Sequence, residues 1–212
     1  MLDAAARRLT AVPLERAGVR LAQMGARPLA LTGVGWLAGV GACVAIVVDA
    51  WTVALVLWLL NRLLDGLDGA VARQTGPTDL GGFLDIVADF SIYGGFVLAV
   101  AISVPEARLA CMFLLVSYYV SGTAFLALSS LLERRRTAGI DPELHRDERS
   151  LRFVGGIAEG TETVIAYVLF TLFPEHAELI AWVFTATVAL TALQRVAEGI
   201  IVLRTTSHQE SV

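Results

Sequence analysis

The chain reads as an all-α, polytopic membrane protein, with six transmembrane helices and an N-terminal interfacial amphipathic helix. Three observations lead there. Of its 212 residues 56% are hydrophobic and only 17% charged, whereas about a quarter of an ordinary soluble domain is charged. Mean hydropathy is +0.69. Apolar runs recur at about residues 29–49, 51–73, 82–104, 107–131, 152–173 and 177–203, each close to the roughly 20 helical residues that cross ~30 Å of hydrocarbon.

Residues 1–27 form the first unit, a cytoplasmic amphipathic segment. Leu2, Leu9, Leu14, Leu21 and Met24 alternate with Arg7, Arg8, Arg16, Arg20 and Arg27, a pattern that suits a helix lying on anionic lipid. A loose basic tail is the alternative. The segment lacks the continuous apolar core and cleavage site of a secretory signal. Residues 28–204 form the six-helix transmembrane domain, and 205–212 a cytoplasmic tail. Pro28 opens the first span, and Gly76-Pro77, Pro105 and Pro174 follow the second, third and fifth, because proline ends a helix or begins a new one. The longest polar stretch, 133–150, joins the fourth and fifth spans. Cys43 and Cys111 fall in apolar runs and read as small buried hydrophobes.

Arginines give the orientation. All 16 basic residues are arginine. Those of residues 7–27, Arg73, Arg134, Arg135, Arg136, Arg146, Arg149, Arg152 and Arg204 fall on one side of an even-numbered bundle. Arg108 stands alone on the other, near Asp49, Glu106, Glu175 and Glu178. Positive loops stay inside, so both termini are expected in the cytoplasm, with the protein in a bacterial-type inner (plasma) membrane. Membrane lipids, not nucleic acid, are the expected surroundings.

The chemistry gathers in one stretch: Asp65-Gly-Leu-Asp68-Gly69-Ala-Val-Ala72-Arg73, then Gly81, Asp85 and Asp89. An acid near the middle of a membrane helix costs ~2.5–3.5 kcal/mol and by default marks function. Asp65 and Asp68 stand three apart and Asp85 and Asp89 four apart, so each pair shares a helix face. The Gly76-Pro77 turn brings the two faces together near the cytoplasmic surface. Four convergent carboxylates repel one another unless cations lie between them. Two hard divalent ions, Mg²⁺ or Mn²⁺, would balance their charge, and such a pair suits in-line phosphoryl displacement. Gly69 and Gly81 leave room for a nucleotide diphosphate against the backbone, and Arg73 offers a planar fork for phosphate. Blander readings exist: Asp79 as a helix cap, Asp65 paired with Arg62 one turn earlier, and glycines serving helix packing. They do not explain all four acids at these spacings.

The string Asp65-x-x-Asp68-Gly69-x-x-Ala72-Arg73-…-Gly81-x-x-x-Asp85-x-x-x-Asp89 resembles the signature of the CDP-alcohol phosphatidyltransferase family. The spacer from Arg73 to Gly81 is seven residues, where eight is the more usual length. The resemblance implies transfer of a phosphatidyl-type group from CDP-diacylglycerol to an alcohol acceptor, with CMP leaving. It implies that Asp65, Asp68 and Asp85 ligate metal, and that Asp89 is both a ligand of the second metal and the general base. It further implies that Gly69, Ala72, Arg73 and Gly81 form the CDP pocket, with Thr32 added by its similarity to the threonine of a Pro-Asn-x-x-Thr element, although Leu29 stands at the Asn position. Family members are often homodimers.

The acceptor is less legible. Arg134, Arg152 and Arg195 lie near cytoplasmic helix ends and could converge on a phosphorylated acceptor, as in inositol-phosphate-using relatives, or could simply obey the positive-inside rule. Glu159 and Glu162 share a face of the fifth span and could bind acceptor hydroxyls or pair with Arg152 and Arg195. Glycerol 3-phosphate leads the candidates, then inositol phosphate, then phosphatidylglycerol. The competing class is a membrane cation transporter with an acidic intramembrane site, which would spread acids across the membrane depth. Hydrolysis through serine or histidine is disfavoured, because His145, His176 and His208 fall in loops or the tail.

Overall fold

The helices end where proline and glycine interrupt the apolar runs. The computed structural model describes residues 2–137 and 160–207. Seven α-helices follow one another among the described residues: α1 (Leu2–Gln23), α2 (Pro28–Val47), α3 (Trp51–Thr75), α4 (Asp79–Ser103), α5 (Arg108–Thr137), α6 (Gly160–Leu172) and α7 (Ala177–Ser207). Short 3-10 turns at Pro105–Ala107 and Pro174–His176 lead into α5 and α7. The all-α, polytopic class therefore holds.

Each boundary has a local cause. After α1, Gly25 takes φ +80°, and the Ala26 and Gly25 amides donate to the carbonyls of Leu21 and Ala22 at 2.9 and 3.0 Å. This is the paired closure of a Schellman motif. Pro28 then starts α2, where a missing amide costs nothing. After α3, Gly76 adopts φ +96°, which permits the sharp reversal into α4. The start of α4 differs from expectation: the helix begins at Asp79, not at 82, and its cap is Thr78. The Thr78 hydroxyl accepts from the Gly81 amide at 3.1 Å, which leaves Asp79 in the first turn, favourably placed against the helix dipole.

Four helical stretches are long and apolar enough to cross a membrane: Pro28–Val47, Asp79–Ser103, Pro105–Arg135 and Pro174–Arg204. Helix α3 carries Arg62, Asp65, Asp68 and Arg73 within its apolar run, and the described part of α6 is 13 residues long. The expectation of six spans depends on these two.

Packing is close because small residues meet large ones, the usual means of joining helices where lipid is as apolar as leucine. Helix α2 packs on α3 and α4, α5 on α7, and α4 on α5. At Gly39 of α2, any added Cβ would lie 2.7 Å from Ile92 of α4. Between the helices Trp58, Phe96, Tyr167 and Phe170 are fully buried together, with Phe96 and Tyr167 stacked at 4.2 Å. Helix α1 was expected to rest on lipid. One side of it is seated on α3: Gly18 abuts Ala70, and Leu14 abuts Gly66. Arg16 and Arg20 stay exposed.

Candidate active site

Helices α3 and α4 flank the Gly76 turn, and both pack on α2. Their turn-proximal ends carry all four aspartates, and the spacings put the two acidic faces opposite each other. Asp65, Asp68, Asp85 and Asp89 line one small cavity with Thr32, Asn61 and Trp36. The acids are thus brought together at one end of the bundle. Among the described residues, no three His, Cys, Asp or Glu groups are closed tightly enough to hold an ion as they stand.

Hydrogen bonds hold the carboxylates in place. Thr32 donates to Asp68 Oδ2 at 2.6 Å, tying α2 to α3. Arg62 Nη2 donates to Asp89 Oδ1 at 2.7 Å, and Nη1 lies 3.7 Å from Asp65 Oδ2. The same Nη1 donates to the Tyr93 hydroxyl at 2.8 Å, while Nε donates to Asn61 Oδ1 at 2.9 Å. Asn61 in turn donates to the Gly35 carbonyl at 2.8 Å. The polar network therefore ties three helices at the level of the acids. The Arg62–Asp65 pairing foreseen from sequence is present, but the shorter contact is to Asp89 on the facing helix.

A groove of about 690 Å³ opens beside the cavity. Thr32, Asp68 and Asp85 face both spaces, and Gly69, Ala72, Gly76 and Gly81 line the groove. A Cβ on Gly69 would meet only the Arg73 guanidinium, at 3.5 Å, so this glycine leaves backbone bare toward the groove. Arg73 itself is exposed on the last turn of α3. Of the five residues expected to form a nucleotide pocket, Thr32, Gly69, Ala72 and Gly81 line this groove, and Arg73 does not.

Apolar channels continue from this region along α2 and α4. One, of about 350 Å³, runs past Thr32, Gly33, Trp36, Leu84 and Ala88. A second, of about 390 Å³, continues past Val40, Val44, Gly95 and Leu98. They meet at Trp36 and Ser91, which hydrogen-bond at 2.9 Å.

On the other side of Asp89 lies a chamber of about 550 Å³, between α4, α5, α6 and α7. Tyr93 forms part of its wall, and its hydroxyl lies 3.4 Å from Asp89 Oδ2. Arg195 lines this chamber, donating to the Ser121 hydroxyl at 2.9 Å and lying 5.2 Å from the Phe125 ring centre. Arg134 does not join it: this residue is exposed at the end of α5 and is not part of the chamber wall. Arg152 and Glu159 lie outside the described residues, and Glu162 sits in the first turn of α6. Of the two described arginines expected to converge, the structure brings Arg195 to the chamber and not Arg134. Asn61, Tyr93, Trp36 and Ser91 were not singled out from sequence. Single polar or aromatic residues in an apolar run give a weak signal until the facing helix is known.

The four aspartates and their groove come from the region where the chain also matches known proteins. The inner membrane protein YnjF of Escherichia coli K12 is 40% identical over 190 residues, 87% of this chain and 88% of that protein. Archaetidylinositol phosphate synthase of Pyrococcus horikoshii is 40% identical over 78 residues, 36% of this chain and 42% of that protein. In fold, the chain resembles the crystal structure of Mycobacterium tuberculosis phosphatidylinositol phosphate synthase with CDP-DAG bound. The TM-score is 0.64 at 20% identity, and the match covers 88% of this chain and 92% of that one. The profile of CDP-alcohol phosphatidyltransferases matches residues 26–193, which include every aspartate of the cavity and all of the groove. By that match and the YnjF likeness, the chain belongs to the CDP-alcohol phosphatidyltransferase family.

Proposed function

We propose that this protein transfers a phosphatidyl group from CDP-diacylglycerol to an alcohol at the inner membrane, releasing CMP, in phospholipid synthesis. The observation that carries the reading is the shared wall: Asp68 and Asp85 face both the acidic cavity and the groove of Gly69, Ala72 and Gly81. A donor diphosphate in that groove lies directly against the carboxylates. The apolar channels along α2 and α4 suit the donor's acyl chains, which would keep their bilayer contact while the headgroup enters the groove.

The donor set fits hard divalent ions, since it is all oxygen and carries four formal negative charges around one small cavity. Asp65, Asp68, Asp85 and Asp89 would hold two Mg²⁺ or Mn²⁺ ions, which when bound supply positive charge to the donor's phosphates and the departing CMP. Thr32 orients Asp68 through its hydroxyl. Bare backbone at Gly69 lets the diphosphate approach α3, and Arg73 stands beside it as a phosphate fork. Asp89, between the cavity and the Tyr93 wall of the chamber, accepts the proton of the acceptor hydroxyl, which then attacks the β-phosphorus. Arg195 receives the polar end of the acceptor in the chamber, with glycerol 3-phosphate first among candidates, then inositol phosphate and phosphatidylglycerol. The six apolar runs support six crossings, the arginine distribution supports a cytoplasmic side for the acids and both termini, and the family pattern supports a homodimer.

The test is CMP release by purified protein given CDP-diacylglycerol, Mg²⁺ and a panel of alcohols. Turnover with at least one alcohol, lost on adding EDTA, is expected. Absence of CMP with every alcohol, or EDTA-insensitive release, would overturn the proposal.

A further inference from the structure

We infer that Arg62 is a positioning residue for the transfer step: it occupies one oxygen of Asp89, leaves the other for the reaction, and acts as a fixed counter-charge among the four aspartates. The inference rests on the reading of Asp89 as base, and it adds a residue outside the aspartate–glycine signature. Four observations carry it. The Arg62 side chain is only 12% exposed, so its charge is committed to protein partners. Its three nitrogens each have a different acceptor: Asp89 Oδ1 at 2.7 Å, the Tyr93 hydroxyl at 2.8 Å and Asn61 Oδ1 at 2.9 Å. The guanidinium plane is held by aromatic rings, 4.8 Å from the centre of Trp58 and 5.2 Å from that of Tyr93. Trp58 belongs to the buried core, and the partly buried Tyr93 packs against it.

Donor logic sets the direction of the remaining contact. The Tyr93 oxygen accepts from Arg62, so its own proton points toward Asp89 Oδ2, 3.4 Å away. That long contact leaves Oδ2 available to an acceptor hydroxyl or an ion, whereas Oδ1 is engaged. With Arg62 in place Asp89 offers one oxygen rather than two, and the cavity carries one unit of negative charge less than its four acids alone. Removing the guanidinium frees Oδ1 to ligate and removes a cation that repels divalent ions. Metal binding then tightens while turnover slows, a divergence that damage to the fold does not produce.

The experiment compares wild type, Arg62→Gln and Arg62→Lys as full chains in one detergent. Mn²⁺ binding is titrated by the electron paramagnetic signal of the free ion, and CMP release is measured with the alcohol that wild type uses. Arg62→Gln is expected to bind Mn²⁺ at least about fivefold tighter, with kcat down about 100-fold and donor KM within about threefold. Arg62→Lys keeps the charge but not the fork, so Mn²⁺ affinity should stay within about twofold while kcat falls about tenfold. Weaker or unchanged Mn²⁺ binding in Arg62→Gln, or wild-type kcat in either variant, would overturn the inference. Should Arg62→Gln not fold, the lysine variant decides by its kcat. Wild-type protein that binds Mn²⁺ yet releases no CMP would instead defeat the proposed reaction, and the Mn²⁺ comparison would still test the counter-charge.

Discussion

The two halves of α4 differ sharply in how they are covered. Among the described residues, none of 79–91 is buried, and Leu80, Phe83, Ile86 and Val87 are 58%, 62%, 44% and 49% exposed. From Ile92 to Val100 the same helix buries five side chains, with Phe96, Val97 and Val100 fully enclosed. Asp85 and Asp89 stand on the uncovered half. The site is thus carried on a helix held firmly at one end, where Phe96 packs on Trp58 and Tyr167, and only lightly at the other, by Arg62, the Trp36–Ser91 bond and the Thr78 cap. Such a division leaves open space for a lipid donor beside the acids without loosening the frame that aligns them.

The largest expected effect tests the acidic cavity that the open half of α4 shares with Asp65 and Asp68 of α3. Asp68→Asn should reduce metal-dependent CMP release at least about 1,000-fold, a loss of about 4 kcal/mol of transition-state stabilisation. A variant that keeps more than a tenth of wild-type turnover would remove Asp68 from the machinery. The packed half is probed by Phe96→Ala. Truncating a fully buried aromatic costs about 3–5 kcal/mol, so a clear fall in Tm in detergent is expected. Phe83→Ala on the uncovered half should stay within about 0.5 kcal/mol of wild type. Equal losses from the two substitutions would erase the contrast.

Smaller effects separate the groove from the chamber. Arg195→Ala should raise KM for a phosphorylated acceptor about tenfold and donor KM less than threefold, roughly the value of one charge-assisted hydrogen bond. Equal changes would take Arg195 out of the acceptor site. Gly69→Ala is the mildest. The added methyl meets only the Arg73 guanidinium at 3.5 Å, and alanine favours helix by up to about 1 kcal/mol. Tm should hold or rise while donor KM increases a few-fold, and unchanged KM would mean that the diphosphate does not approach this backbone.

Much of this was legible in the residues. The Gly76-Pro77 break located the reversal, and the three- and four-residue spacings of the aspartates placed them on facing helix surfaces. The groove's glycines were found for the same reason: they adjoin those acids in sequence. What was missed depends on contacts between distant segments. Arg62 is visible as a neighbour of Asp65, yet its shorter bond reaches Asp89 across a turn of chain. Thr78 and Asp79 are both competent caps, and only the backbone at Gly81 decides between them. The seat of α1 on Ala70 and Gly66 could not be read from its own alternation of leucine and arginine, because protein and lipid accept the same apolar face. Arg134 and Arg195 look alike as helix-end arginines. Only the rotation of α5 and α7 puts one at the chamber and the other in solvent.

The central claim is that the acids of α3 and α4 act as one oxygen-ligand cluster for divalent ions. Crystals of the protein soaked in Mn²⁺ and measured at the manganese edge address it directly. The account predicts anomalous density between Asp65 and Asp68 on one helix and Asp85 and Asp89 on the other. Well-ordered carboxylates with no anomalous density among them would contradict it.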